Sequence, residues 1–260
     1  MNNEIAIEIR DVVKDFRIYH RTYANLKGQA TALVHSLAKR RKVSQYFLRR
    51  ALDHVNLSIR RGEAVAIVGH NGSGKSTLLS ILSRIYLPSA GSLEYRGSLM
   101  SLLELGSGFH FELTGQENVL FNAALRGMRQ DQIRNLYARI VEFAEMTDET
   151  MALPVRMYSS GMLLRLAFAV IVNMEADILV VDEALAVGDE AFQEKCFAAM
   201  EAFKAQGKTI IIVSHELDHV ERFASRVVWL DKGSVRLDGG VDEVLSAYRD
   251  DMHKPQHELT

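Results

Sequence analysis

Ala64-Val65-Ala66-Ile67-Val68-Gly69-His70-Asn71-Gly72-Ser73-Gly74-Lys75-Ser76-Thr77, followed by the helix-like run Leu78 to Ile85, decides how the rest of the chain is read. An apolar strand, a glycine-rich loop and a helix N-terminus in that order form an anion cradle. The loop's backbone N–H groups and the helix dipole converge on one point. Phosphate is the expected guest. Lys75 would reach the outer phosphates of a nucleotide, and the Ser76 hydroxyl would ligate Mg²⁺, which keeps most of its other ligands as water and phosphate oxygen. By composition alone, two fixed glycines, a lysine and a hydroxyl residue coincide on the order of once per hundred chains of this size. The flanking strand and helix make such a coincidence rarer still.

At 260 residues the chain is one large domain or two small ones, with room for a sizeable core. Its formal net charge of −2 gives no global reason to expect nucleic acid, so any basic partner surface is local. The single cysteine, Cys196, excludes an internal disulfide framework and fits a reducing cytosol. Its place in the helical run Glu190 to Phe203 makes it a small core residue. Met1 to Glu4 read as carrying no secretory signal, and no apolar run is long enough to span a bilayer. A membrane process would need another chain to cross the membrane.

Outward from the cradle, Ile5, Ile7 and Ile9 alternate with Ala6, Glu8 and Arg10, which predicts a first strand to about Val13; Val55, Leu57 and Ile59 predict a second. Between them, residues 14–50 form a basic insertion. Arg17, Arg21, Lys27, Lys39, Arg40, Arg41, Lys42, Arg49 and Arg50 stand against the lone acid Asp15, and Leu26, Ala30, Leu33, Val34 and Leu37 recur at helical spacing. Lys39 to Lys42 read as a solvated helix end, as a membrane-facing patch in which each cation contributes ~1 kcal/mol, or as a nucleic-acid contact without a recognised reader motif.

After the cradle helix, Pro88-Ser89-Ala90-Gly91 turns the chain into short strands around Leu93 to Arg96 and Leu99 to Leu103. Antiparallel strands beside a parallel core make a mixed architecture. Gly106 to Phe111 read as a flexible loop, and Thr114 with Glu117 forms a capping box for a helix to about Leu125. Ile133, Leu136, Tyr137, Ile140 and Phe143 mark a second helix, and Tyr158-Ser159-Ser160-Gly161-Met162 leads into a third, Leu163 to Val172. The result is a helical subdomain, about 106–173, inserted in an α/β core. Later come the buried strands Ile178 to Val181 and Thr209 to Val213, a helix over Glu190 to Ala205, a hairpin over Arg226 to Leu237, a last helix from Val241 to about Tyr248, and a polar tail over 251–260.

Ile178 to Val181 end in Asp182-Glu183, where ligands bind in open α/β sheets. Asp182 is placed to hold Mg²⁺, directly or through water, and Glu183 to polarise a water attacking the γ-phosphate. His215 ends the neighbouring strand in the same way and would face the γ-phosphate or that water. His110 and His219 read as structural.

Phosphate loop, Tyr158-Ser159-Ser160-Gly161-Met162 before a helix, apolar strand into Asp182-Glu183, Gly188-Asp189, then a strand-end histidine occur in the order of the ABC-type ATPases, and the resemblance spans roughly Ile5 to Tyr248. It implies an α/β P-loop NTPase fold of the ABC ATPase kind, residues 1–250, with a mixed sheet core, an antiparallel β subdomain and the inserted helical subdomain. It implies ATP and Mg²⁺, and a homodimer in which Ser159, Ser160, Gly161 and Met162 act in trans on the other copy's ATP while Asp189 couples the two sites. The family's adenine-stacking aromatic falls at Phe16, with Tyr19 as the substitute. Its Mg²⁺-binding glutamine has no counterpart in Leu102 to Gly106, where Glu104 is the nearest candidate, one position out of register.

Within the family, Leu102 to His110, Leu113 to Asn118, Tyr158 to Met162 with Arg165 to Ala169, and Asp182 to Glu190 resemble the ATPase subunits of bacterial polysaccharide exporters. The basic insertion is similar to that of the O-antigen and teichoic acid branch, where an element of it lies against the membrane subunit. The resemblance implies an ATPase at the cytoplasmic face of the inner membrane, bound to a polytopic permease and powering transport of a lipid-linked polysaccharide. Export of teichoic acid, capsule, a small lipid or a drug is the alternative, and a soluble ATPase acting on nucleic acid a more distant one; no nucleic acid partner is expected.

Overall fold

The computed structural model describes residues 4–19, 46–102, 109–182, 189–214 and 216–253. Two sheets organise them. Strands β1 (Ile5–Tyr19) and β2 (Tyr46–Arg60) pair antiparallel from Ile5↔Arg60 to Tyr19↔Tyr46. After β3 (Ala64–Val68) and helix α1 (Lys75–Leu82), strand β4 (Ala90–Tyr95) adds to the free edge of β1 and closes a three-stranded sheet in the order β2-β1-β4.

The second sheet begins at β5 (Leu99–Ser101), which lies parallel to β6 (Ile178–Val181). Among the described residues between them stand α2 (Gly115–Leu125), α3 (Gln130–Ala144), α4 (Asp148–Met151), a 3-10 turn at Val155–Met157 and α5 (Ser160–Asn173). Helix α6 (Glu190–Ala205), strand β7 (Thr209–Val213), helix α7 (Leu217–Phe223), strands β8 (Arg226–Asp231) and β9 (Ser234–Gly239), and helix α8 (Val241–Met252) complete the described chain. The six-stranded order is β5-β6-β7-β3-β8-β9, parallel from β5 to β8 with β9 antiparallel at the edge.

Side-chain alternation explains why the central strands read as unbroken apolar runs. Val65 and Ile67 of β3, Ile178 and Val180 of β6, and Ile211 and Val213 of β7 face the antiparallel sheet, while Leu179, Val181, Ile210 and Ile212 face the helical layer. Both faces are covered, so neither can be polar. Leu78, Leu79, Ile81 and Leu82 of α1 are buried between the two sheets with Ile7, Ile9, Leu57 and Ile59. At about 2 kcal/mol for each such side chain taken from water, this contact fixes the helix that follows the phosphate loop. On the far face of β3 and β8, Ala66, Val68 and Trp229 lie under Val244, Leu245 and Tyr248 of α8. Cys196 is buried in the helical core, as its place in the sequence predicts.

The structure departs from the sequence reading at several boundaries. The first two strands do not stop near Val13 and start near Val55: Lys14 to Tyr19 and Tyr46 to Arg50, assigned above to the basic insertion, are paired strand. Pairing with β4 ends at Val13↔Ala90, so past that point the pair is a two-stranded ribbon with residues 47–50 exposed, and the apolar alternation that marks a half-buried strand is lost. Residues 20–45, with the helix and the Lys39 to Lys42 cluster expected there, lie outside the described residues. The strand at Leu99 joins the parallel sheet rather than the antiparallel one. Asp251 and Met252 belong to α8 and not to a polar tail.

Candidate active site

Residues 69–74 bridge the C-terminal end of β3 and the N-terminus of α1, and two glycines make the path possible. Gly69 (φ +152) lies so close to the β8 backbone that a Cβ there would collide with the Leu230 carbonyl oxygen. Gly74 (φ +107) caps α1, and its Cβ would stand 2.6 Å from the Ala51 carbonyl oxygen. Lys75 folds back over the loop, donating to the Gly69 carbonyl at 2.6 Å and the His70 carbonyl at 3.2 Å. The Ser73 amide also donates to the His70 carbonyl, at 3.1 Å, and Gly233 of the β8–β9 turn donates to the Ser73 carbonyl at 2.9 Å. Helix α1 has no side-chain cap and no acid in its first turn, which leaves its first N–H groups and its dipole for an anion.

A cleft of about 670 Å³ opens beside this loop. Asn71, Gly72, Gly74, Lys75, Ser76 and Thr77 line it together with Asp182, Phe16, Ile18 and Arg49. Phe16 is held edge-on against Tyr86 at 5.4 Å, with Lys14 5.2 Å from both rings. The structure thus brings Phe16, the loop and Asp182 to one cavity. Tyr19 pairs with Tyr46 at the end of the ribbon.

Ser76 and Asp182 offer oxygen donors to the same cavity, and among the described residues no group of three or more His, Cys, Asp or Glu side chains gathers elsewhere. A hydroxyl and one carboxylate suit Mg²⁺, which completes its octahedron with phosphate and water. The residues present fit that ion. Glu183, His215 and Glu104 lie outside the described residues.

Ser159 to Met162 and Asp189 do not line the cleft. Ser159 is the N-cap of α5, its hydroxyl accepting from the Met162 amide at 3.2 Å, and Ser160 and Gly161 form the first turn. Tyr158 fixes this start from below by donating to the Thr150 carbonyl at 2.8 Å; burial is the main cause that raises its phenol pKa. Asp189 caps α6 in the same manner, accepting from the Phe192 amide at 3.0 Å. Thr114 and Glu117 form the expected capping box at α2.

The structure adds residues that sequence reasoning missed. Arg49, Arg50 and Lys232 give the cleft a basic rim. Arg50 is tied to Asp15 at 3.0 Å and Asp53 at 2.8 Å, and Asp15 is the first cause of its raised pKa. Had β1 been extended to Tyr19, period-two spacing would have put Ile18 on the Phe16 face. Lys232 carries no such signal, because its turn meets the loop only through the β3–β8 pairing. His110 and His219 are structural, as read: His110 meets the Phe121 ring at 4.9 Å and its backbone holds Asn118, while His219 meets Glu216 at 3.0 Å.

Comparison with known proteins gives a consistent picture. Residues 52–186 match the ABC transporter family profile. The chain is 40% identical over 251 residues to an O-antigen export system ATP-binding protein RfbB of Klebsiella pneumoniae, covering 96% of this chain and 99% of that one. It is 44% identical over 247 residues to the protein of that name in Myxococcus xanthus, covering 94% of this chain but spanning only 56% of the longer relative. Among solved structures, the ATP-binding cassette MJ0796, a dimer in a post-hydrolysis state with ADP and Pi, superposes with a TM-score of 0.71 at 21% identity, over 90% of this chain and 98% of that one. That likeness concerns the fold alone.

Proposed function

The chain belongs to the ABC transporter family, and we propose that it is the ATP-hydrolysing subunit of an exporter that moves a lipid-linked polysaccharide of O-antigen type across the cytoplasmic membrane. The observation that carries the reading is the division of the site. One chain supplies a cradle and cleft for a nucleotide, while its second helix start, Ser159 to Met162, stands outside that cleft. A second copy, arranged head to tail, would bring the N–H groups and dipole of its α5 against the γ-phosphate.

Lys75 and the first turn of α1 hold the phosphates in this reading, and Phe16 stacks on adenine, with Tyr19 as the alternative. Ser76 and Asp182 would hold Mg²⁺, which when bound neutralises charge on the phosphate oxygens, and Glu104 is proposed as a further donor. Glu183 orients a water and takes its proton as the water oxygen bonds to the γ-phosphorus and the bond to ADP breaks; His215 contacts the γ-phosphate. Asp189 links the two sites. Closure on ATP and release after hydrolysis then drive a separate permease.

No helix among the described residues is long and apolar enough to cross a membrane. Phe121 and Leu125, one turn apart on α2, expose apolar surface, Leu125 to 71%. We place the subunit at the cytoplasmic face, peripheral through the permease, and expect no nucleic acid partner.

Steady-state ATPase of wild type and Glu183→Gln tests the chemistry, with size-exclusion chromatography in ATP alongside. The variant should lose turnover and elute as a dimer; wild-type turnover in Glu183→Gln would remove Glu183 as the base. The cargo is tested in membranes holding the cognate permease, where lipid-linked O-polysaccharide should stimulate ATPase. Stimulation by teichoic acid precursors or small lipids instead would reassign it.

A further inference from the structure

The second residue of the phosphate loop faces two ways. Inward, the His70 carbonyl accepts from both the Ser73 amide and the Lys75 ammonium, so the position of its backbone sets the position of the lysine. Outward, its ring lies against α8: Nε2 is 3.5 Å from Asp251 Oδ2, and the ring centroid is 5.4 Å from that of Tyr248. The carboxylate it meets is itself gripped. Arg236 of β9 donates to Asp251 Oδ1 at 3.1 Å and Oδ2 at 3.2 Å, lies 3.5 Å from Asp231, and covers the Trp229 ring at 4.0 Å. Trp229 closes the circuit, meeting Tyr248 edge-on at 5.4 Å and pairing through its strand with Val68, the residue before the loop.

We infer that α8 is a positioning element of the nucleotide site, in which Asp251, held by Arg236, together with Tyr248 seats His70 and thereby the loop carbonyls that hold Lys75. Neither contact to the His70 ring is strong by itself. A 3.5 Å approach is at the outer limit of hydrogen bonding, and an aromatic pair contributes modestly. Their joint effect is geometric: the loop is anchored from β8, from β9 and from the helix laid across them. Asp251 touches no nucleotide and acts only through His70. By linkage the coupling runs both ways, so a nucleotide that orders the loop also steadies the end of α8.

This inference rests on the loop binding a nucleotide as proposed above. Calorimetric titration of ATP into the full chain, its His70→Ala and Asp251→Ala variants and the double variant tests it. Each single change should weaken ATP roughly three- to ten-fold, and the double variant should be no weaker than His70→Ala. Fully additive losses would mean that Asp251 acts through helix stability alone, and unchanged affinity in Asp251→Ala would equally overturn the inference. Hydrogen exchange on the unmodified chain gives a second reading: ATP should slow exchange of the α8 amides from Leu245 to Met252, and no slowing there would also overturn it. A wild-type chain that binds no ATP would sink the nucleotide reading itself, whereas wild-type binding matched by the variants would sink only the role of α8.

Discussion

Arg165 Nη2 lies 2.9 Å from Asp189 Oδ2, so the helix opened by Ser159 and the helix capped by Asp189 share one ion pair. The guanidinium is only 20% exposed; its Nη1 reaches Glu145 at 2.9 Å and its plane lies 4.7 Å from the Phe192 ring. Lys195 binds the other Glu145 oxygen at 3.0 Å. Two elements expected to act across a dimer interface are thus braced against each other within one chain.

Arg165→Ala should lower ATPase kcat on the order of ten-fold while leaving ATP affinity of the isolated chain within about a factor of two, because Arg165 does not line the cleft. Arg165→Lys should rescue little, since an ammonium cannot span both carboxylates and stack on Phe192. Kinetics and titration on the two variants check this.

Depressed carboxylates in this network and at the α2 cap set an acid limit. Asp189 is held below its usual pKa first by the Phe192 amide and then by Arg165, Glu145 first by Lys195, and Glu117 first by the Thr114 amide. A depressed carboxylate contributes stability above its unfolded pKa and loses it as pH falls through the folded one. Thermal melts should therefore be flat from neutral pH to about pH 5 and fall below the ordinary carboxylate range near 4. Thr114→Ala should cost about 1 kcal/mol at neutral pH and remove the Glu117 share of the acid slope.

Gly69→Ala should abolish nucleotide binding or prevent folding. The new methyl would meet the Leu230 carbonyl, a backbone atom with no rotamer to yield, at a φ that L-residues rarely adopt. Gly72→Ala is the control: nothing lies within 4 Å of its Cβ position, so only the strain of φ +80 opposes it and the loss should be smaller. Nucleotide titration and melting curves separate the two.

Cys196 should be inert in the native protein. Burial pushes its thiol up to about 12, so at pH 8 almost no thiolate exists to attack a disulfide reagent. A chromogenic disulfide should react with no thiol in the folded chain and with one after denaturation; rapid native reaction would contradict the burial.

The cradle was legible because its parts are contiguous: a strand, glycines and a helix start leave a local mark. The buried strands β6 and β7 and the cap at Thr114 were legible for the same reason. What sequence could not supply is adjacency made by pairing. Lys232 reaches the cleft, and Trp229 the neighbourhood of His70, only because β8 lies beside β3. The long ribbon was missed because a strand pair with one bare flank has no apolar face to repeat.

That ribbon ties its far end to the cleft. Phe16, Ile18 and Arg49 along it line the cleft, and past the Val13↔Ala90 pair it is held on that flank by side chains rather than by strand pairing, the Asp15 amide donating to Ser89 Oγ at 3.0 Å and Phe16 meeting Tyr86. The six residues Lys14 to Tyr19 carry it outward by ~20 Å at strand rise. The Tyr19–Tyr46 end of the pair, from which residues 20–45 leave, is thus joined by continuous strand pairing to a wall of the cleft without passing through the phosphate loop.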